Sequence, residues 1–214
     1  MKDFYKKLFP QYYDYLKKEV KGCESVLDLG CGRSSPIQYC PVSYSVGVEL
    51  FEPYLKESKK MKIHNKYILA DIRRVEFMPK SFDCVLASGV LEHLTKKEGL
   101  SLIKKMENIA RKKIIIHTPN GFLCQDEYDK NKLQIHKSGW AFDEFKKLGY
   151  EVKGTDGWKP LRKEKAELRF RPKIMNQLLS DLSQKITYHY PKVAFQLFAT
   201  KSVDQATPAN VEAT

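Results

Sequence analysis

Several absences narrow the reading of these 214 residues before any motif is considered. No apolar run approaches the roughly 20 residues that span a bilayer. The N-terminal stretch "MKDFYKKLFPQYYDYLKKEV" is charged throughout and lacks the apolar segment of a secretory signal, so a cytoplasmic protein is expected. Cysteine is sparse. The five residues (Cys23, Cys31, Cys40, Cys84 and Cys124) are odd in number and have neither close pairing nor zinc-type spacing, which suits reduced thiols. Acidic residues are outnumbered, 26 against 38 Lys and Arg, and the net charge of +12 favours anionic partners: RNA, a phospholipid surface or a phosphorylated metabolite. A lysine-rich solvated surface gives the same signature. No internal repeat is present.

What is there is an alternation of two periods. Strands are expected at 25–29, 44–50, 66–70, 82–88, 112–118, 150–154 and 192–200, with helical patterns at 53–62, 95–111 and 138–148 between them. Such alternation predicts an α/β protein with a largely parallel sheet and right-handed crossovers. Residues 1–21 read as a helical extension: Phe4, Leu8, Tyr12, Leu16 and Val20 recur every four residues, interrupted by Pro10. The main domain covers 22–201, and the tail 202–214 reads as disordered. Segment 156–191 is too long for a tight connection. It carries the basic run "KPLRKEKAELRFRPK" and then Ile174, Leu178, Leu182 and Ile186 at four-residue spacing, an amphipathic helix whose leucines are expected to pack onto the sheet.

The chemistry concentrates in "VLDLGCGRSSP", residues 26–36. A strand running into Gly30 and Gly32 is how doubly wound domains approach a nucleotide, and ligands sit beyond the carboxyl ends of the strands. A dinucleotide loop wants a third glycine, however, and that place holds Ser35. Asp28 is also an odd neighbour for a pyrophosphate. Glu49, about twenty residues beyond the first strand, stands where a carboxylate grips ribose hydroxyls, and Asp71 with Ile72 can serve an adenine. Several carboxylates and no anion grip suit a nucleoside that carries positive charge. S-adenosylmethionine meets that description, having a sulfonium and an ammonium group and no phosphate.

With "VLDLGCG" (26–32), "VGVEL" (46–50), "ILADI" (68–72), "FDCVLASGVLEHL" (82–94), "IIIHTPNG" (114–121) and "SGWAFDEFKKLGYEV" (138–152), the sequence resembles the class I S-adenosylmethionine-dependent methyltransferases, in particular methyltransferase type 11. The resemblance implies a Rossmann-like seven-stranded sheet of order 3-2-1-4-5-7-6, last strand antiparallel, with helices on both faces. It assigns Asp28, Gly30 and Gly32 to the methionine portion of the cofactor, Glu49 to the ribose, and Asp71 and Ile72 to the adenine, with Leu50 also in the cofactor site. Ser88, Gly89 and Val90 would line the cofactor near the reacting methyl, and S-adenosylhomocysteine would be the product.

Methyl transfer from a sulfonium is an in-line displacement on an activated electrophile, so orientation carries most of the catalysis. A base is needed only for a nucleophile with a tightly held proton. The candidates are His93, His117 at the end of the fifth strand, and His136 in the polar loop "QDEYDKNKLQIHKSGW". Glu92–His93 is similar to a pair that serves a divalent metal in ubiquinone-biosynthesis O-methyltransferases, where a further glutamate precedes it by three residues. Here that place is Gly89, and no metal ligand is assigned. "SGVL" after the fourth strand departs from the Asn/Asp-Pro-Pro-Tyr/Phe motif of amino-methyltransferases acting on adenine or glutamine. The acceptor expected is a small or medium-sized metabolite. The same chemistry on RNA or on a lipid-linked acceptor at an anionic membrane, and a non-catalytic binding subunit, are the alternatives. The sequence leaves the oligomeric state open.

Overall fold

A computed structural model describes residues 9–163, 167–170 and 172–203. Seven strands form one sheet: β1 Ser25–Leu29, β2 Tyr44–Glu49, β3 Lys66–Leu69, β4 Phe82–Ser88, β5 Ala110–Pro119, β6 Glu151–Trp158 and β7 Ala194–Ser202. Their order is β3-β2-β1-β4-β5-β7-β6. The β3 to β5 pairings are parallel, and β7 runs antiparallel to both β5 and β6. This is the Rossmann-like architecture expected. The helices are α1 Tyr12–Glu19, α2 Glu52–Lys60, α3 Lys96–Ile109, α4 Phe142–Lys147 and α5 Lys173–Thr187.

Central strands are covered on both faces, so their apolar residues run almost without a break and period two decides which layer each one joins. Leu27, Leu29, Ile114 and Ile116 face the side packed by α3 and α4, with Met106, Trp140 and Phe145. Val26, Leu86 and Ile115 face the opposite side, under Leu16 of α1 and Val20 at its C-cap. Helix α3 starts at a reciprocal capping box in which Thr95 and Glu98 each bond the other's backbone. Glu92 and His93 therefore have no capping duty.

Three expectations need correction. The helix expected at 138–148 is confined to Phe142–Lys147, because the chain before it is tied down: the Gly121 amide donates to the Trp140 carbonyl at 2.8 Å and the Trp140 indole donates to the Leu91 carbonyl at 3.2 Å. Ser202 is the last residue of β7, and the Val203 amide donates to the Lys112 carbonyl at 2.8 Å, so the tail cannot begin at 202. The rest of that tail, the start of the N-terminal extension and part of the basic run lie outside the described residues.

The third correction concerns α5. Its four-residue apolar stripe faces away from the sheet: Ile174 is 86% exposed, Leu178 45%, Leu182 46% and Ile186 63%. The side packed on β6 is polar, with Asn176, Ser180, Asp181, Gln184 and Thr187 buried. Gln184 accepts from the Gly157 amide at 2.8 Å and donates to the Gly154 carbonyl at 2.9 Å, while Ser183 Oγ accepts from the Trp158 amide at 2.9 Å. β6 is the edge strand of the sheet. Its open backbone groups are met by side chains, which is why polar residues turn inward here.

Candidate active site

The carboxyl ends of β1, β2, β3 and β4 surround a cavity of about 320 Å³, lined among others by Gly30, Gly32, Glu49, Leu50, Asp71, Ile72, Ser88, Gly89, Val90 and His93. The backbone shapes it. Gly30, Gly32 and Gly89 have φ of +75°, +56° and +66°, values that an L side chain rarely adopts. A Cβ at Gly30 would strike Val90 Cγ2 at 2.6 Å, whereas one at Gly32 would project into open space. The first glycine permits packing and the second keeps the wall clear.

The first three amides of this turn are already engaged. Those of Gly30 and Cys31 donate to the Val48 carbonyl at 2.8 and 3.0 Å, and that of Gly32 donates to Glu49 Oε2 at 3.0 Å. A pyrophosphate would find these three N–H groups already spent. Glu49 Oε1 accepts in turn from the Phe51 amide at 2.7 Å, so the carboxylate is fixed by backbone on both oxygens, with lone pairs to spare for a diol. Burial raises its pKa.

Asp71 makes a fork-on-fork pair with Arg73, at 2.9 Å to Nε and 2.7 Å to Nη2, and its pKa is lowered chiefly by those bonds. Arg73 is also bonded to Glu98 at 2.6 Å. An adenine amino group at Asp71 would therefore share an oxygen that Arg73 already occupies.

Asp28 is not on the cavity wall. It is 1% exposed beneath the glycine turn, where it accepts from Ser35 Oγ at 2.5 Å and lies 3.5 Å from His64 Nε2. Burial pushes its pKa up to about 7 and that of His64 down to about 4. The side chain at the place of the missing third glycine thus has a use: Ser35 holds Asp28, and its own Oγ accepts from the Ile37 amide at 3.2 Å. His64 gave no signal in the sequence, since it lies outside every motif and reaches the site across β2. Asp28 shapes the turn from behind.

The three histidines separate. His117 is 7% exposed, stacked under Tyr12 with ring centroids 3.8 Å apart, and its Nε2 lies 2.9 Å from Thr155 Oγ1. Tyr12 also donates to Ser88 Oγ at 3.0 Å. His117 shares the face of Ile115, the α1 side, and lines neither the cofactor cavity nor its neighbour.

His93 and His136 come together instead, ring centroids 4.8 Å apart, and with Glu92 they place three potential ligand atoms within 4.8 Å of one another. Each Nδ1 faces a carbonyl, Ile135 O at 3.4 Å and Leu123 O at 2.6 Å. A carbonyl only accepts, so in the tautomer that makes these bonds Nδ1 carries the proton and Nε2 presents a lone pair. Glu92 is 5% exposed, accepts from Thr118 Oγ1 at 2.9 Å, and is raised by burial to a pKa of about 7. Burial lowers both imidazoles, His93 to about 4. The cluster borders a second cavity of about 610 Å³, which shares Gly89, His93 and Gln134 with the first.

The loop carrying His136 is pinned across the cofactor cavity. Asp129 pairs with Arg33 at 2.7 Å and accepts from Tyr54 OH at 3.0 Å, and the Arg33 guanidinium lies over the Tyr54 ring.

Residues 27–116 match the family described as methyltransferase domain. The solved structure of a SAM-dependent methyltransferase from Archaeoglobus fulgidus aligns with 93% of this chain and 98% of its own, at 18% identity and a TM-score of 0.53. A structure described as a putative S-adenosylmethionine-dependent methyltransferase from Listeria monocytogenes covers 85% and 90%, at 15% identity and a TM-score of 0.57. These likenesses establish the fold. The probable (S)-tetrahydroprotoberberine N-methyltransferase 2 of Papaver bracteatum is 31% identical over 99 residues, 42% of this chain, and that match spans 27% of the relative's length. Sheet order and glycine turn define a class I methyltransferase fold. The family match covers residues 27–116 of the 214, and the sheet built on them has the strand order of that fold.

The residues present fit S-adenosylmethionine: Gly32 leaves the wall clear, Glu49 has oxygen lone pairs that would accept a ribose diol, and the amides of Gly30, Cys31 and Gly32 are spent within the fold. Bound there, S-adenosylmethionine would supply a methyl on a positively charged sulfur.

Proposed function

We propose that this protein transfers a methyl group from S-adenosylmethionine to a small or medium-sized acceptor held in the second cavity. The observation that carries the reading is Glu49, fixed through both oxygens by the amides of Gly32 and Phe51 on the cofactor wall. The acceptor would meet the methyl at Gly89 and His93, which both cavities share. Ser88, Gly89 and Val90 set the position, and the loop pinned by Arg33, Tyr54 and Asp129 excludes water. His93, neutral at pH 7, can take the proton that an oxygen or nitrogen nucleophile sheds. The Papaver relative, named as an N-methyltransferase, supports a nitrogen acceptor by resemblance alone.

Calorimetry with S-adenosylhomocysteine tests this directly. Wild type should bind, and Glu49→Ala should bind at least about tenfold more weakly, the value of roughly 1.4 kcal/mol. Folded wild type that binds neither the product nor S-adenosylmethionine would overturn the enzyme reading.

A second reading of the acceptor cavity rests on the paired Nε2 lone pairs. Two imidazoles and a carboxylate are a donor set for a divalent transition metal, and a carbonyl behind each ring is the usual way such ligands are oriented. A metal there would hold the acceptor and lower its pKa, replacing the base. Titration with Mn²⁺, followed by its paramagnetic resonance signal, separates the two: uptake that His136→Ala abolishes favours the metal, and no uptake leaves the base.

A further inference from the structure

Helix α5 is built inside out, and that is the feature of the molecule which methyl transfer leaves unexplained. Its sheet side is polar and hydrogen-bonded to β6, while Ile174, Met175, Leu178, Leu179, Leu182 and Ile186 face outward. A face of this kind costs free energy in water unless something covers it.

Its size and charge decide what that is. Fifteen residues make a strip about 22 Å long and about 10 Å wide, with six apolar side chains on it against the roughly 20–30 residues a side of a stable protein interface. A second copy of this chain would also bring +12 against +12. The aliphatic side chains have nothing to offer a nucleic acid. Around the strip, the exposed charged groups among the described residues 163–190 are Lys163, Arg169, Lys173 and Lys185, four basic against Glu167. Aromatic groups adjoin it as well: Phe170 is 53% exposed, Tyr190 68% and Trp158 46%. An aliphatic stripe edged by lysines, with aromatics at its ends, is the composition of a helix lying in a lipid headgroup layer.

We propose that α5 docks this protein on anionic phospholipid surfaces, its apolar stripe in the headgroup region and its basic neighbours on the lipid phosphates. No segment is inserted across the bilayer: among the described residues no helix is long and apolar enough to cross one. The docked helix brings the active-site rim to the lipid. The acceptor cavity shares Leu123 and Phe195 with a third cavity of about 600 Å³, which reaches Trp158, Lys159, Lys163 and Arg169 in the stretch before α5. An acceptor with a lipid-like portion would enter by that route. This last step rests on the methyltransferase reading; the docking does not.

The test is co-sedimentation of the whole protein with vesicles of phosphatidylcholine alone or with about 30% phosphatidylglycerol. Wild type should pellet with the anionic vesicles, release as salt rises from about 0.05 M to about 0.5 M, and stay in solution with the neutral ones. Leu178→Gln with Leu182→Gln should lower the bound fraction at least fivefold while circular dichroism and S-adenosylhomocysteine binding are unchanged. Wild type that ignores anionic vesicles, or a variant that pellets equally, overturns the proposal. So does a light-scattering dimer that the same two substitutions dissociate, which would give the stripe to a second copy. None of these outcomes touches the cofactor measurement, so the two readings fail separately.

Discussion

Helices α3 and α5 are close to equal in length, each carries aliphatic residues at three- and four-residue spacing, and they do opposite things. In α3 the apolar side faces inward, burying Leu102, Ile103, Met106 and Ile109 beneath the sheet. In α5 the apolar side is exposed, and Ser180 and Gln184 are buried in its place. The difference lies in the strands beneath. α3 covers β4 and β5, interior strands paired on both sides, so that mostly apolar surface is left to cover. α5 covers β6 at the sheet edge, where unpaired amides must be met by side chains. Periodicity shows that a helix has two faces; the hydrogen bonds left open by the sheet decide which one turns in.

The largest effect expected in breaking this contrast is in α3. Met106 is fully buried, and Met106→Ala should cost about 4 kcal/mol in urea denaturation, by lost burial and by the cavity left. A loss below about 1 kcal/mol would mean the helix is not packed as described.

Polar burial is tested next at Asp28, as deep in the core as Gln184 is under α5. Its pKa is raised from 3.8 to about 7, first by desolvation and then by the charge of Glu49, against the Ser35 hydrogen bond. The unfolded chain then releases this proton near pH 4 while the folded chain keeps it to about pH 7. The group's contribution is complete below pH 3.8 and is lost as pH rises through about 7. Between pH 5 and pH 7 wild type should lose about 2 kcal/mol from this one group. Asp28→Asn has no proton to release, so its stability relative to wild type should rise by that amount over the interval. Parallel stability curves would place the charge elsewhere.

Gln184→Ala comes third. It leaves the Gly157 amide and the Gly154 carbonyl without their partner under α5, at a cost of about 2 kcal/mol. Equilibrium unfolding at one pH measures it, and a neutral result would show that water satisfies the β6 edge.

The same distinction sets how much of the site was legible in the sequence. Strand ends and glycine turns are local, so the run of residues lining the cofactor cavity, from Gly30 and Glu49 to Ser88–Val90, follows from period and punctuation. The order of the strands came instead with the resemblance that the motifs in series carry. What was not legible depends on which layer covers a strand face. Asp28 shares the face of Val26, and His117 that of Ile115. Period two says as much, but whether that face meets solvent, ligand or helix is a tertiary fact. Here α1 covers it, so His117 goes under Tyr12. His64 and Thr118 were missed because their partners, Asp28 and Glu92, are distant in sequence. The meeting of His93 with His136 depends on the path of a loop that no periodicity describes.

The smallest effect should come from α5's own leucines, and it is the sharpest check on the comparison. Leu182 is 46% exposed and sits among Leu178, Leu179 and Ile186, which are exposed too. A sequence reader would rank Leu182→Ser with Met106→Ala, since both remove an aliphatic side chain from a regular apolar stripe. In the structure Leu182 gives up little burial when the protein unfolds, so the change should shift stability by less than about 0.5 kcal/mol. Thermal unfolding in dilute buffer and again with anionic vesicles separates the two contributions. A loss of several kcal/mol in buffer would turn α5 over and seat its leucines on the sheet. Little change in buffer, with a loss of vesicle-induced stabilisation, would show that the stripe's partner lies outside the fold.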